Sequence, residues 1–265
     1  MSRNQRTAFL LGISVFAITV TLFVPPIAQD PGYHNLADRR VIAGIPNFGD
    51  VVSNLAFLIV GVAGLWTLMK IREDRSRLID KQETYPLAVA FAGTVLIFVG
   101  SAYYHWAPSN ETLVWDRLPV TLTFMGIFSM VIVERISVKG GVALLIPLLV
   151  MGIASVVYWQ LTEQSGQGDL RPYALVQFLP VLLIPVMLWL FPARYSGVRY
   201  IWEMIGWFLL SKLPEYFDAV IWGWSNGWVS GHSVKHCVAG GAIYALVRYL
   251  KYRRAIPYNT LKPIN

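Results

Sequence analysis

Apolar residues along this chain are concentrated in eight stretches, each close to the roughly 20 residues that an α-helix needs to cross a lipid bilayer. The stretches lie at about residues 7–24, 51–69, 86–106, 118–135, 141–159, 173–191, 200–222 and 232–249. The pattern therefore predicts an all-α polytopic transmembrane bundle with eight spans, or seven if the first is removed. No fixed-period repeat, linker or long loop divides the sequence, so we expect residues 1–265 to form a single integral membrane domain.

The composition agrees with a membrane location, since 55% of the residues are hydrophobic and only 14% are charged. The first stretch has two interpretations, because Arg3 and Arg6 precede an apolar run as they would in a signal peptide. The run is long for a signal core, however, and Pro26 stands where cleavage needs a small residue. We therefore expect residues 1–24 to be retained as an additional N-terminal helix or signal anchor.

Lysine and arginine mark one side of the predicted bundle. They cluster around residues 3–6, 70–81, 135–139, 194–199 and 248–254, which fall on the same side if the spans alternate in direction. Because short cytoplasmic loops retain Lys and Arg, both termini are predicted to be cytoplasmic. Topology and contact with anionic lipids then explain the net charge of +7, and no nucleic-acid partner is expected.

Three of the four histidines are predicted to lie at the same depth, on the side opposite the basic loops. His105 ends the third span, and His232 and His236 begin the eighth, where their i, i+4 spacing places them on one helical face. Three imidazoles with one open position are the arrangement of catalytic zinc. The histidine pair alone is equally compatible with an interfacial role, and the single cysteine excludes a cysteine-based metal site.

Two further polar residues are predicted to lie beside the histidines. Ser101 precedes His105 by one turn, and Asp116 opens the next predicted span at the same side of the membrane. A carboxylate there can act as a general base, and the serine hydroxyl can hydrogen-bond water or a developing oxyanion. The alternatives are that Ser101 is a small helix-packing residue and that Asp116 is the N-cap of a helix that starts near Arg117.

The spacing Ser101-xxx-His105, followed by Asp116 and by His232-xxx-His236, resembles the signature of the alkaline ceramidase family. This family belongs to a wider superfamily of membrane hydrolases that also contains the adiponectin receptors. The resemblance runs from "NFGDVVSNLAFLIVG" to the last span. It implies a seven-helix hydrolase core over residues 47–250, preceded here by one extra helix. It also implies zinc bound by the three histidines, with Ser101 and Asp116 completing the site.

The predicted function is that of a zinc-dependent amidohydrolase. The resemblance implies that its substrate is a ceramide-like lipid in the membrane, whose N-acyl amide is cleaved to a sphingoid base and a fatty acid. The short loops resemble those of bacterial members, so we expect the bacterial inner membrane, with the active site facing the periplasm. Three alternatives remain open: a zinc hydrolase of another lipid amide or ester, a non-catalytic receptor-like member, and a haem-binding membrane protein.

Two segments depart from the family pattern or carry unexplained charge. Eukaryotic relatives have an acidic calcium site before their first core helix. The corresponding segment here offers oxygen ligands without reproducing that cluster in order, so calcium is an alternative rather than an expectation; these residues are Asp30, Asn35, Asp38, Asn47 and Asp50. His34 in this segment is expected to form hydrogen bonds rather than to bind zinc.

The seventh span is unusually polar. We expect Lys212 and Glu215 to pair within the bundle and Pro214 to bend this helix. Asp218 and Glu215 are expected to join an inward-facing polar network, with head-group binding as the alternative.

Overall fold

The chain folds into a bundle of α-helices, as a computed structural model that describes residues 1–257 shows. Within that range the backbone forms no β-strand, only two isolated bridges. The helices are α1 (Arg3–Phe23), α2 (Phe48–Val52), α3 (Leu55–Ile71), α4 (Thr84–Trp106), α5 (Asn110–Arg135), α6 (Val138–Gln164), α7 (Arg171–Leu190), α8 (Arg199–Leu210), α9 (Lys212–Tyr216), α10 (Asp218–Trp224) and α11 (Gly231–Tyr252). Short 3₁₀ helices cover Pro31–His34 and Lys81–Glu83.

Six helical segments of the described chain are long and apolar enough to cross a membrane, which identifies an integral membrane protein. They are Arg3–Phe23, Phe48–Ile71, Lys81–Trp106, Asn110–Arg135, Val138–Gln164 and Arg171–Leu190. Large apolar side chains cover much of the outer surface, including Phe16 and Trp189, which are 70% and 80% exposed. Such a surface is stable in lipid but not in water. The predicted all-α polytopic bundle is thus confirmed.

The helices connect two opposite ends of the bundle. At the basic end, Arg3 donates to the Ile136 carbonyl at 2.6 Å, and Arg6 donates to the Leu190 carbonyl at 2.8 Å. At the other end, which we call the histidine end, the side chain of Asn47 donates to the His105 carbonyl at 2.7 Å.

The seventh pass is not the continuous helix that the sequence predicts over 200–222. It is divided into α8, α9 and α10, with interruptions at Ser211 and Phe217. Pro214 lies between them, inside α9, and has no N–H to donate to the Leu210 carbonyl. The interruptions thus lie on either side of the residue at which the sequence predicts a bend.

Helix α1 lies at the edge of the bundle. Leu10 is its only buried residue, and it joins an apolar core formed mainly by α3, α4, α5, α7, α8 and α11. The division into a core over residues 47–250 and one added helix stays a prediction from the sequence.

Candidate metal centre

Three histidines from two distant helices meet at the histidine end. His105 lies in the last turn of α4, and His232 and His236 lie in the first turns of α11. All three are buried, and one ligand nitrogen from each lies within 4.8 Å of the other two. The Nε2 atoms of His105 and His232 are 3.2 Å apart. The predicted convergence of these imidazoles is confirmed.

The donor set and its spacing fit a metal ion. Two imidazole nitrogens bound to one tetrahedral zinc at 2.0–2.1 Å lie about 3.3 Å apart, close to the observed separation of His105 and His232. Imidazole nitrogen suits zinc and several other transition metals. The spacing of these two nitrogens therefore suits a shared metal ion, and the geometry alone does not select the metal.

The third ring is oriented by a serine. Nδ1 of His236 lies 2.7 Å from Oγ of Ser53, and that hydroxyl can donate to the Asp50 carbonyl at 3.2 Å. If it does, Nδ1 of His236 carries the proton that binds Ser53 and Nε2 keeps its lone pair. This is the tautomer that a metal ligand needs.

A lysine that the sequence analysis did not single out lies against the cluster. Nζ of Lys235 is 3.0 Å from Nε2 of His232 and 2.8 Å from a carboxylate oxygen of Glu215. The other oxygen of Glu215 accepts a hydrogen bond from Lys212 at 3.1 Å. The predicted pairing of Lys212 with Glu215 is therefore confirmed, and Lys235 is a second cation bound to the same carboxylate. A metal ion bound to Nε2 of His232 would replace the contact with Lys235, and Glu215 would keep the ammonium.

Ser101 and Asp116 line one cavity together with His236. They approach because Gly100 lets α4 and α5 pack closely: a Cβ atom at this position would lie 1.9 Å from the Trp115 carbonyl oxygen. The expectation that Asp116 opens its helix is wrong. Helix α5 begins at Asn110, where Ser109 accepts from the Thr112 amide as N-cap, so Asp116 lies nearly two turns inside it.

Helix α2, the loop before it and Asp218 hold the start of α11 in place. Asp50 accepts hydrogen bonds from the hydroxyls of Ser230 and Ser233, at 2.5 and 2.8 Å. Asp218 accepts from the backbone amides of His232 and Ala37, at 2.8 and 3.0 Å. The role of Asp218 is therefore to fix the helix that carries two of the histidines, in agreement with the predicted inward-facing network.

Asp30, Asp38 and Asn47 in this loop each bind a separate protein partner. Asp30 binds the Gly32 amide, and Asn47 donates to the His105 carbonyl. Burial alone would raise the pKa of Asp38, but hydrogen bonds from Arg40 and the Gly49 amide hold it below its ordinary value. Within residues 1–257, the three histidines are the only group of three or more His, Cys, Asp or Glu side chains close enough to share an ion. The acidic side chains of this loop therefore form no shared cluster within the described residues.

His34 forms hydrogen bonds as expected and stays outside the cluster. Its ring nitrogens lie 3.0 Å from the Tyr104 hydroxyl and 3.0 Å from the Asn110 side-chain oxygen. The ring therefore ties the loop to α4 and α5.

The cavity has a volume of about 350 Å³ and continues from the site into the bundle. Its polar lining includes Ser101, Asp116 and Lys235, and its deeper lining is apolar, for example Ile127 and Ile243. Because α5 rises about 1.5 Å per residue, the distance from Asp116 to Ile127 along the helix is about 16 Å. The cavity thus has a polar part beside His236 and an apolar part deeper in the bundle.

No family model matches this sequence, and no curated protein matches it. The fold and the site define an integral membrane protein with a buried three-histidine cluster that can hold a metal ion. The resemblance to alkaline ceramidases remains a prediction from the sequence motifs.

Proposed function

We propose that the protein is a zinc-dependent membrane amidohydrolase that cleaves the N-acyl amide of ceramide-like lipids to a sphingoid base and a fatty acid. The observation that carries this proposal is the cluster of three buried imidazoles, of which His236 lines the largely apolar cavity together with Ser101 and Asp116. Ligand nitrogens, a carboxylate and an apolar compartment together suit metal-assisted hydrolysis of a lipid.

His105, His232 and His236 would hold the zinc ion. When bound, zinc supplies Lewis acidity, which polarises a carbonyl group and makes nearby water more acidic. Asp116 takes a proton from the attacking water and passes it to the nitrogen of the departing amine as the C–N bond breaks. Ser101 donates a hydrogen bond to the carbonyl oxygen as negative charge develops there. The apolar walls hold the lipid chains and exclude bulk water.

The proposed location is the bacterial inner membrane, with the basic end in the cytoplasm and the histidine end facing the periplasm. The basic loops support this orientation through the preference of short cytoplasmic loops for Lys and Arg. The haem alternative is disfavoured by the ring geometry. The ring centroids of His105 and His232 are only 4.6 Å apart, too close for a porphyrin to lie between them.

The test combines metal analysis with lipid hydrolysis on the full-length protein in detergent. We expect about one zinc per chain in the wild type, by the one-site arrangement of the ligands. His105→Ala should lose both metal and amide cleavage, whereas His34→Ala should keep the metal because His34 lies outside the cluster. Comparing ceramide with an ester analogue separates an amidase from another lipid hydrolase.

A correctly folded wild-type protein without stoichiometric metal would contradict the proposal. So would a His105→Ala variant that retains full amide cleavage. Metal binding without turnover of any lipid amide or ester would instead indicate the receptor-like alternative.

A further inference from the structure

Arg117 is a buried cation in the wall of the cavity. It follows Asp116 on α5 and is only 6% exposed. Its guanidinium carbon lies 4.0 Å from the centre of the Trp159 ring and 4.8 Å from that of Tyr173. Nη2 donates to the side-chain oxygen of Gln29 at 2.5 Å. Helices α5, α6 and α7 and the loop before α2 thus all contribute to one guanidinium site.

Arg117 is buried without an anionic partner, although burial of a charged group normally requires one. Within residues 1–257 it forms no ion pair, and its Nη1 atom is buried without a hydrogen-bond partner. Asp116 supplies only a longer-range negative charge. A buried cation without an ion pair is costly, and charged residues at membrane depth are usually retained for function.

The other cations of the cavity wall are paired. Lys212 and Lys235 share Glu215, with nitrogen–oxygen distances of 3.1 and 2.8 Å. Counting Arg117, Lys212 and Lys235 against Asp116 and Glu215, the lining side chains carry three positive and two negative charges, a net charge of +1. In the absence of a metal ion, a single negative charge on a ligand would balance the lining.

The two aromatic rings lie near the guanidinium carbon, and neither provides a hydrogen-bond acceptor for the buried Nη1 atom. Aromatic rings interact with a guanidinium through its faces, so its N–H groups remain in the plane and can donate. Nη1 is the donor without a partner, and a carboxylate is the monoanion that a guanidinium binds best. The apolar walls extend beyond this point to Ile127, about 15 Å farther along α5 by the helical rise.

We propose that Arg117 is an anion-binding residue that holds the carboxylate of a long-chain amphiphile in the cavity. The carboxylate belongs either to a fatty acid, as the reaction product, or to the head group of an intact lipid, such as an N-acyl amino acid. This proposal deepens the proposed function by giving the charge of its ligand, but it concerns binding and needs no turnover.

The experiment measures the binding of palmitate, N-palmitoylglycine and uncharged hexadecanol to the full-length protein in an uncharged detergent. Metal-stripped and metal-loaded samples are both titrated, so that carboxylate binding to a metal is distinguished from binding to Arg117. In metal-stripped wild type we expect at least one carboxylate to bind about tenfold or more tightly than hexadecanol, as one charge-assisted hydrogen bond would give. If only palmitate binds preferentially, the ligand of Arg117 is the fatty-acid product. If N-palmitoylglycine binds preferentially, the ligand is the carboxylate of an intact lipid.

The matched variants are Arg117→Gln and Arg171→Gln. Arg171 lies at the same end but already pairs with Asp169 at 2.7 Å, so its loss should leave the preference intact. Arg117→Gln should abolish the preference for a carboxylate over hexadecanol. Equal binding of carboxylate and alcohol by the wild type would overturn the proposal, as would an unchanged preference in folded Arg117→Gln.

If Arg117→Gln does not fold, the binding site is instead mapped by photolabelling of the wild-type protein. A palmitate that carries a photoreactive group should label peptides of α5, α6 or α7 that line the cavity, and labelling confined to other surfaces would overturn the proposal. Absence of lipid hydrolysis would contradict the proposed function and leave this binding result unaffected.

Discussion

At the scale of single residues, the hydrogen bond between Ser53 and His236 gives the metal centre its most specific support. It fixes the rotation of one imidazole from the side that faces away from the other histidines. Ser53 belongs to the turn between α2 and α3, so the orientation of a ring on α11 depends on a different pass of the bundle. Partners of this kind raise metal affinity because they remove rotational and tautomeric freedom from the ligand.

Ser53→Ala should therefore weaken metal binding by about 10- to 100-fold, the usual effect of removing such a partner. Competition with a chelator of known affinity measures the change in purified protein. Ser129→Ala is the matched control, because its hydroxyl binds the Gly141 carbonyl at 2.9 Å, in the contact between α5 and α6. Equal affinities of Ser53→Ala and the wild type would show that the ring needs no such support.

The sequence revealed the site only in part. Spacing and alternating topology predicted the convergence of His105, His232 and His236, because depth along a helix follows directly from residue number. Ser53 could not be found in this way, since its partner lies 183 residues away. Lys235 offered a signal, a charge inside an apolar span between two of the histidines. Arg117 stood next to a selected carboxylate, but only the packed helices show that it lacks a partner.

At the scale of helices, the contact between α4 and α5 decides how Ser101 and Asp116 meet. Gly100 packs directly on the backbone of Trp115, and no larger residue fits at that distance. Small residues commonly allow such close approach between membrane helices. The relative position of the two proposed catalytic residues is therefore set by a glycine that takes no part in chemistry.

Gly100→Ala should separate the two helices, with a cost of about 1–3 kcal/mol from overpacking. We expect a lower thermal unfolding midpoint in detergent and weaker lipid hydrolysis, because Ser101 and Asp116 move apart. Gly206→Ala is the control, since a Cβ there meets nothing within 4 Å. An equal unfolding midpoint and activity in Gly100→Ala would mean that the helices tolerate the added methyl group.

Helix boundaries were less accessible to sequence reasoning than helix positions. The apolar pattern placed the fourth span at about 118–135, whereas α5 begins at Asn110. Residues 110–117 are helical because Ser109 and Thr112 form a capping box, although several of them are polar. The same limit explains the error at Asp116: apolarity marks the part of a helix inside the bilayer, and capping marks where the helix begins.

At the scale of the whole molecule, buried charges fix the basic end. Arg253 is fully buried and pairs with Glu134 and Glu83, and the hydroxyls of Tyr249 and Tyr195 donate to the same two carboxylates. These contacts join the end of α11 to α4 and α5. Because Arg3 binds the α5–α6 turn at this end as well, both ends of the described chain lie on one side of the bundle. The even number of passes predicted from the sequence agrees with this arrangement.

The orientation of that bundle can be tested with reporter fusions in a bacterial host. If the basic end is cytoplasmic, green fluorescent protein fused to the C-terminus should fluoresce, and alkaline phosphatase fused there should be inactive, because its disulfides form only in the periplasm. Alkaline phosphatase inserted at Gly166, in the loop between α6 and α7 at the histidine end, should be active. The opposite pattern would place the histidines on the cytoplasmic side of the membrane, so that the substrate would have to reach the cavity from the inner leaflet.

Replacing the basic residues at 72–77 with glutamine should weaken the preference for one orientation in the membrane, since the bias in Lys and Arg sets the orientation whereas acidic residues contribute little.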